Sequence, residues 1–199
     1  MEVFWARGYE GATLEDLQAA MGGISPPSLY HAFGSKEALF REAADLYVAT
    51  IGDPAVLALN GGPTAREAME AMLRLTVEAF CRPGKPHGCM LVLGATNCAP
   101  SNKGPQDYLR AIRQRAPDVI KQRLRRGVAE GELPPQLNID AIAAFYTAIL
   151  HGLGVRAGDG APRAALTGAV DGAMAAWEPF VEKQQSGSRP RKRVRRTLP

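Results

Sequence analysis

Apolar residues recur along this chain at three- and four-residue steps, interrupted by glycine and proline clusters, and that pattern predicts a succession of helices. Leu14, Leu17 and Met21 share one face of a short helix opened by Thr13, with Asp16 three residues on as its capping-box partner. Gly22 and Gly23 end it, because glycine supplies the left-handed backbone a tight corner needs. Ser25 caps a second helix with Pro26 at its first position. Leu29 and Phe33 then point inward, while Ser28, Tyr30 and His31 face outward or sideways. Residues 2–8 look like the end of a helix that stops at Gly8, and another helix runs from Lys36 to about Ile51, ended by Gly52-Asp53-Pro54. A short helix, a glycine corner and a second helix with polar outer residues form a helix-turn-helix, whose use is to lay the second helix in the major groove of DNA.

The rest of the chain keeps the helical period. Thr64 and Glu67 make a second capping box, opening a helix with Met69, Met72, Leu73, Val77 and Phe80 on its apolar side. Residues 88–97 are a short apolar stretch, predicted as a buried helix, with a strand as the alternative for so short a run. A loop over residues 99–105 precedes a long basic helix to about Glu130, which Pro117 should kink or split. Residues 138–156 carry Ile139, Ile142, Phe145, Ile149 and Leu153 in helical register, and residues 162–180 carry Leu166, Val170, Met174 and Trp177.

At 199 residues the chain can bury a real core. No apolar run approaches the roughly 20 residues that span a bilayer, and no signal peptide is expected, so no membrane partner is. Three cysteines argue for a reducing cytosol, hence a cytoplasmic location. The net charge of +4 hides an uneven distribution. Residues 186–199 hold six cations and no acid, so residues 1–185 sum to −2. Residues 1–50 have three bases (Arg7, Lys36, Arg41) against seven acids, so the part expected to read DNA is net −4. The motif, and not the overall basicity, is what points to DNA.

Phe4-Trp5-Ala6-Arg7-Gly8-Tyr9, Thr13 with Asp16-Leu17, Ser28-Leu29-Tyr30 with Phe33, and Ser35-Lys36-Glu37-Ala38-Leu39 together resemble the tetracycline-repressor (TetR-like) regulators. The match is dense over roughly the first quarter of the chain, and its several spaced elements are more specific than a bare helical period. Against the family pattern, the chain begins two or three helical turns late, with Phe4 already near the end of the first helix; either the true start lies upstream or the head is weakened. The corner also has two glycines where most relatives have one.

The resemblance implies an all-α protein. A DNA-binding head would span residues 1–48, a helical effector-binding and dimerisation domain 49–185, and a disordered basic tail 186–199. It implies a homodimer on a palindromic double-stranded DNA operator, answering to a small-molecule effector, with no cofactor and no metal. Thr13, Tyr30 and Lys36 match positions that hold the DNA backbone; Ser25, Pro26, Pro27, Ser28 and His31 complete the DNA-facing set. Neither proline offers a hydrogen bond to a base edge, and no arginine is available for guanine, so specificity should be partly indirect. The dimer would pack through Ile142, Ile149, Leu153, Leu166, Val170, Met174 and Trp177; closing the monomer's own core would leave the same signature.

A cavity between the helices is the usual ligand site in a bundle. Candidate lining residues are Met72, Phe80, Cys89, Met90, Leu93, Tyr108, Phe145 and Tyr146, with Asn97, Tyr108 and His151 as polar groups, and they suggest a neutral, apolar or aromatic effector. Cys81, Cys89 and Cys98 lack the close spacing of zinc ligands. They are buried apolar cysteines or, for Cys89 near a helix start, a thiol sensor of oxidants or electrophiles. Two other classes compete with a ligand-responsive repressor. One is a helical adaptor whose acidic, shortened head no longer reads DNA. The other is an enzyme, for which the chain offers no nucleophile–base pair, phosphate loop or metal-ligand pair.

Overall fold

The computed structural model describes residues 1–96 and 98–186, with side chains as far as residue 182, and all regular structure in these residues is helical. The basic tail lies from residue 187 outside the described residues, as does Asn97.

Four helices make the head: α1 (Glu2–Gly11), α2 (Leu14–Ala20), α3 (Pro26–Phe33) and α4 (Lys36–Tyr47). Its core is aromatic. Phe40 meets Phe4 edge-on at 5.1 Å and Tyr9 at 5.2 Å, and Leu17, Leu29 and Leu39 are buried around them. Such ring pairs add about 0.5–1.5 kcal/mol each beyond area burial, which suits a unit with few large aliphatics. α1 is broken at Gly8, whose φ of 68° and ψ of 178° no side-chain-bearing residue adopts readily.

Behind the head lie α5 (Asp53–Gly61), α6 (Ala65–Phe80), the single turn α7 (Met90–Leu93), α8 (Lys103–Ala129), α9 (Ile139–Gly158), α10 (Arg163–Ala175) and α11 (Trp177–Ser186). α6 packs on α5, α8, α9 and α10, and α8 also packs on α4 and α7, so one continuous core joins the head to the bundle. α9 is 20 residues long with mean hydropathy 1.2, long and apolar enough to cross a membrane by that measure; here its neighbours are α6, α7, α8 and α10.

Four local expectations are corrected. Gly52-Asp53-Pro54 does not end the helical run: a π-helical turn, Val48–Gly52, leads into α5, whose first turn tolerates Pro54 because no amide is needed there. Pro117 does not split α8, which runs unbroken through it. The 88–97 stretch supplies only the four-residue α7 before it turns at Gly94. The last helix breaks at Ala176 into α10 and α11.

An ion pair between a buried arginine and a partly exposed glutamate ties α8 to the start of α6. Arg123 is 1% exposed and its Nη2 lies 3.2 Å from Glu132 Oε2, while Glu132 Oε1 accepts from the Ala65 amide. Arg123 Nε and Nη1 have no hydrogen-bond partner among the described residues, so Glu132 carries most of the compensation for that charge.

Candidate DNA-reading head and effector cavity

The helix-turn-helix is held by short-range polar bonds. The Asp16 amide donates to Thr13 Oγ1 (3.1 Å), and Asp16 Oδ2 accepts from the Thr13 amide (3.1 Å) and hydroxyl (2.7 Å). These bonds, the hydroxyl's first, hold the Asp16 carboxyl below its usual range, and Arg7 pairs with the same oxygen at 2.7 Å. Gly22 and Gly23 turn the chain with φ of 78° and 81°, and Gln18 Nε2 closes the corner on Ile24 O at 2.8 Å. Ser25 caps α3 by accepting from the Ser28 amide at 3.3 Å. Leu29 is buried and Phe33 half-buried, so Pro26, Pro27, Ser28, Tyr30 and His31 form the exposed face of α3, beside exposed Ser25.

Two features alter the expected chemistry of this face. The Thr13 hydroxyl gives its proton to Asp16, so a phosphate would have to compete with that carboxylate. The head's three cations are all engaged: Arg7 on Asp16, Arg41 on Glu37 (2.6 Å) and over the Tyr108 ring, and Lys36 4.6 Å above the Tyr9 ring. Lys36 stands at the first position of α4, where Ser35 caps the helix by accepting from the Ala38 amide at 3.0 Å.

A cavity of about 340 Å³ opens where α4, α6, α8 and α9 converge, near the lower end of the range for small-molecule sites. Its apolar walls include Val48, Ile51, Met72, Phe80, Ile112 and Val119; its polar groups include Tyr47, Thr76, Cys89, Arg113 and His151. Of the eight residues expected to line such a site, Met72, Phe80 and Cys89 do. The other five do not. Met90 is wholly buried in the core, and Leu93 is 38% exposed beside Gly158. Tyr108 gives its hydroxyl proton to Asp45 (2.6 Å), and Phe145 and Tyr146 pack with Phe180 and Trp177 at another part of the bundle. Sequence reasoning missed Tyr47 and Arg113: α4 was assigned wholly to the head, and the arginines of α8 look alike as a string.

Of the two readings left open for Cys89, its burial favours the apolar one. It does precede α7 at the cap position, but that helix is one turn long, and burial pushes the thiol up, which favours the protonated form. Burial likewise holds the His151 imidazole below its ordinary value, with Arg113 adding to the effect.

The stretch between Gly88 and Gly94 belongs to both parts. Cys89, Leu91 and Val92 line the cavity, while its two ends hold α1: Trp5 Nε1 donates to Gly88 O at 3.0 Å, and the Tyr9 amide donates to Gly94 O at 2.6 Å. Trp5 also meets Tyr47 edge-on at 4.9 Å.

The stripe expected to form a dimer contact proves to be core. Ile142, Leu153, Leu166, Val170, Met174 and Trp177 are buried within the protomer, and Ile149 is half-buried. What α9 and α10 leave open is a face of small residues, including Ala144, Ala148 and Gly152 on one and Ala165, Gly168 and Gly172 on the other. A Cβ built on Gly152, Gly168 or Gly172 would meet nothing within 4 Å.

A helix-turn-helix head joined to a helical bundle through one continuous core is the architecture of a DNA-binding transcriptional regulator. Residues 1–43 match the family of bacterial regulatory proteins of the tetR type, and residues 65–165 match the tetracyclin repressor-like C-terminal domain. The chain belongs to the tetR family. It is 44% identical to the regulator CifR, with a TM-score of 0.86 over 88% of this chain and 92% of that one; CifR was solved, as a cysteine-substituted variant, with 26-base-pair operator DNA. It is 28% identical to the transcriptional repressor ComR of Escherichia coli, over 81% of this chain and 77% of ComR. A regulator from Chloroflexus aurantiacus, 23% identical with a TM-score of 0.77, shares the fold.

Proposed function

We propose that this protein is a homodimeric transcriptional repressor that holds operator DNA through paired α3 helices and releases it when a small, largely apolar effector fills the cavity. The likeness to CifR, itself solved on operator DNA, is the observation that carries the reading. Lys36 and Tyr30 would fix the head on phosphates, and Pro26, Pro27, Ser28 and His31 would meet the groove. With no arginine on α3, indirect readout would supply part of the specificity.

The dimer would form through the open small-residue faces of α9 and α10, where glycine and alanine let helices approach closely. An effector against Cys89, Leu91 and Val92 would shift the Gly88–Gly94 stretch and, through its two hydrogen bonds, α1. The heads would then no longer fit successive major grooves. Release requires different effector affinity in the two states; couplings of this kind run about 1–3 kcal/mol.

The test is fluorescence anisotropy of DNA flanking the protein's own gene, titrated at two salt concentrations beside a scrambled duplex. Preference for the flanking DNA that persists at the higher salt supports the repressor. Binding that ignores sequence and vanishes with salt refutes it, and favours the adaptor reading suggested by a head whose cations are all engaged.

A further inference from the structure

Tyr47 is the anomaly of the cavity wall. It is 2% exposed, and its hydroxyl makes no hydrogen bond among the described residues. A buried hydroxyl without a partner is a standing cost, and here the side chain that carries it lines a cavity. The Cys89 thiol and the Met90 backbone adjoin it.

The polar groups beside the Tyr47 hydroxyl are donors, and Asp45, the carboxylate on the cavity wall, already accepts from the Tyr108 hydroxyl. Burial keeps both the Tyr47 phenol and the Cys89 thiol protonated. Arg113 is close enough to influence the Cys89 thiol, spends one guanidinium N–H on Leu91 O, and has no carboxylate partner among the described residues. Thr76 gives its own proton to Met72 O at 2.8 Å, so it supplies no donor here.

Donors clustered at one end of an apolar space call for an acceptor. Resting on the effector reading above, we infer that this end seats an acceptor oxygen of the effector, carbonyl or carboxylate, with the Tyr47 hydroxyl as its donor and the apolar walls holding the rest. A cationic or purely hydrocarbon ligand would leave the hydroxyl unpaired. Tyr47 is also placed to report occupancy, since its ring packs edge-on against Trp5 of α1. The residue that reads the ligand's oxygen is therefore itself the last residue of α4, one contact from α1.

The experiment is calorimetric titration of the full chain and its Tyr47→Phe variant with three probes: acetophenone, its near-isostere α-methylstyrene, which has no oxygen, and phenylacetate. The variant keeps the ring against Trp5, and its melting curve checks the fold. Tyr47→Phe should weaken the oxygenated probes about 5- to 10-fold and leave α-methylstyrene unchanged. The wild-type protein alone should prefer acetophenone over α-methylstyrene by a similar factor, a test that stands even if the variant misfolds. Arg113→Gln distinguishes the two oxygen types: a large loss for phenylacetate alone assigns a carboxylate, and equal small losses assign a carbonyl. If α-methylstyrene binds as tightly as acetophenone, or Tyr47→Phe weakens both alike, the oxygen seat is refuted while the effector cavity survives. If none of the three probes binds, both readings fall.

Discussion

Replacing Gly8 by alanine tests whether head and cavity are mechanically joined. Gly8 has φ 68° and ψ 178°, a region that is essentially glycine's alone, and forcing another residue into it costs about 1–3 kcal/mol. An added Cβ would stand 3.2 Å from Gly94 O, tighter than ordinary contact. The backbone can escape only by rotating, and that rotation pulls the Tyr9 amide off Gly94 O, where it now sits at 2.6 Å, at a net cost of about 1 kcal/mol. Strain and lost bond are alternatives more than additive terms. Alanine also trims the freedom of the unfolded chain, returning about 0.4–1 kcal/mol. The expected net destabilisation is about 0.5–2.5 kcal/mol.

Urea unfolding followed by both tryptophan fluorescence and circular dichroism measures it. Gly11→Ala is the control: its φ is not positive and its Cβ would meet only Arg7 Cβ at 3.5 Å, so it should be near neutral. The functional half is sharper. If α1 senses the cavity through Gly94, Gly8→Ala should still bind operator, yet lose most of the difference in operator affinity made by a saturating cavity ligand. A change below about 0.5 kcal/mol, or unaltered ligand-induced release, refutes the reasoning.

Three further outcomes are expected. Glu132→Ala strips the partner from an arginine that is 1% exposed and should cost about 3–5 kcal/mol in urea unfolding, with much of it regained when Arg123→Met is added; a cost below about 1 kcal/mol would show Arg123 relaxing into solvent. Lys36→Ala should weaken all duplexes alike and lower the salt slope of binding by about 1, while a change confined to one sequence would make Lys36 a base reader. Burial holds the folded-state pKa of His151 below its ordinary 6.5, so the stability tied to its neutral ring is whole above that value and is lost as the pH falls through it. The fall in melting temperature between about pH 7.5 and about pH 5.5 should therefore be smaller in His151→Gln, and an equal fall would remove the ring from the acid response.

What could be read from the string follows from the range of the forces involved. Caps, the glycine corner and the inward apolar stripe of the head act over three or four residues, and Thr13, Gly22-Gly23, Ser25 and Leu29 stand where local rules put them. The same rules failed at Asp53-Pro54, where one dipeptide can stop a helix or start one, and at Pro117, where the packing of α8 overrides a single missing amide. Periodicity marks an apolar side but not what covers it. Val170 and Trp177 looked available to a second copy and are spent on the protomer itself, leaving glycine and alanine outward, a face with no apolar signature.

The cavity was legible only in part, for a reason that bears on how the protein works. Met72, Phe80 and Cys89 come from the bundle, but the unpaired hydroxyl comes from Tyr47, at the end of a helix that begins beside the DNA-reading surface. Nothing local separates Tyr47 from an ordinary core tyrosine. Its role depends on three elements distant in sequence meeting at one point: α4 with its hydroxyl, the stretch before α7 with Cys89, and α1 with Trp5 against the ring. A site assembled wholly within the bundle could be filled without consequence for the head. On the proposed effector reading, one whose wall is the last turn of α4, and whose floor is hydrogen-bonded to α1, would change the head's packing whenever it was filled, and binding and regulation would be one event.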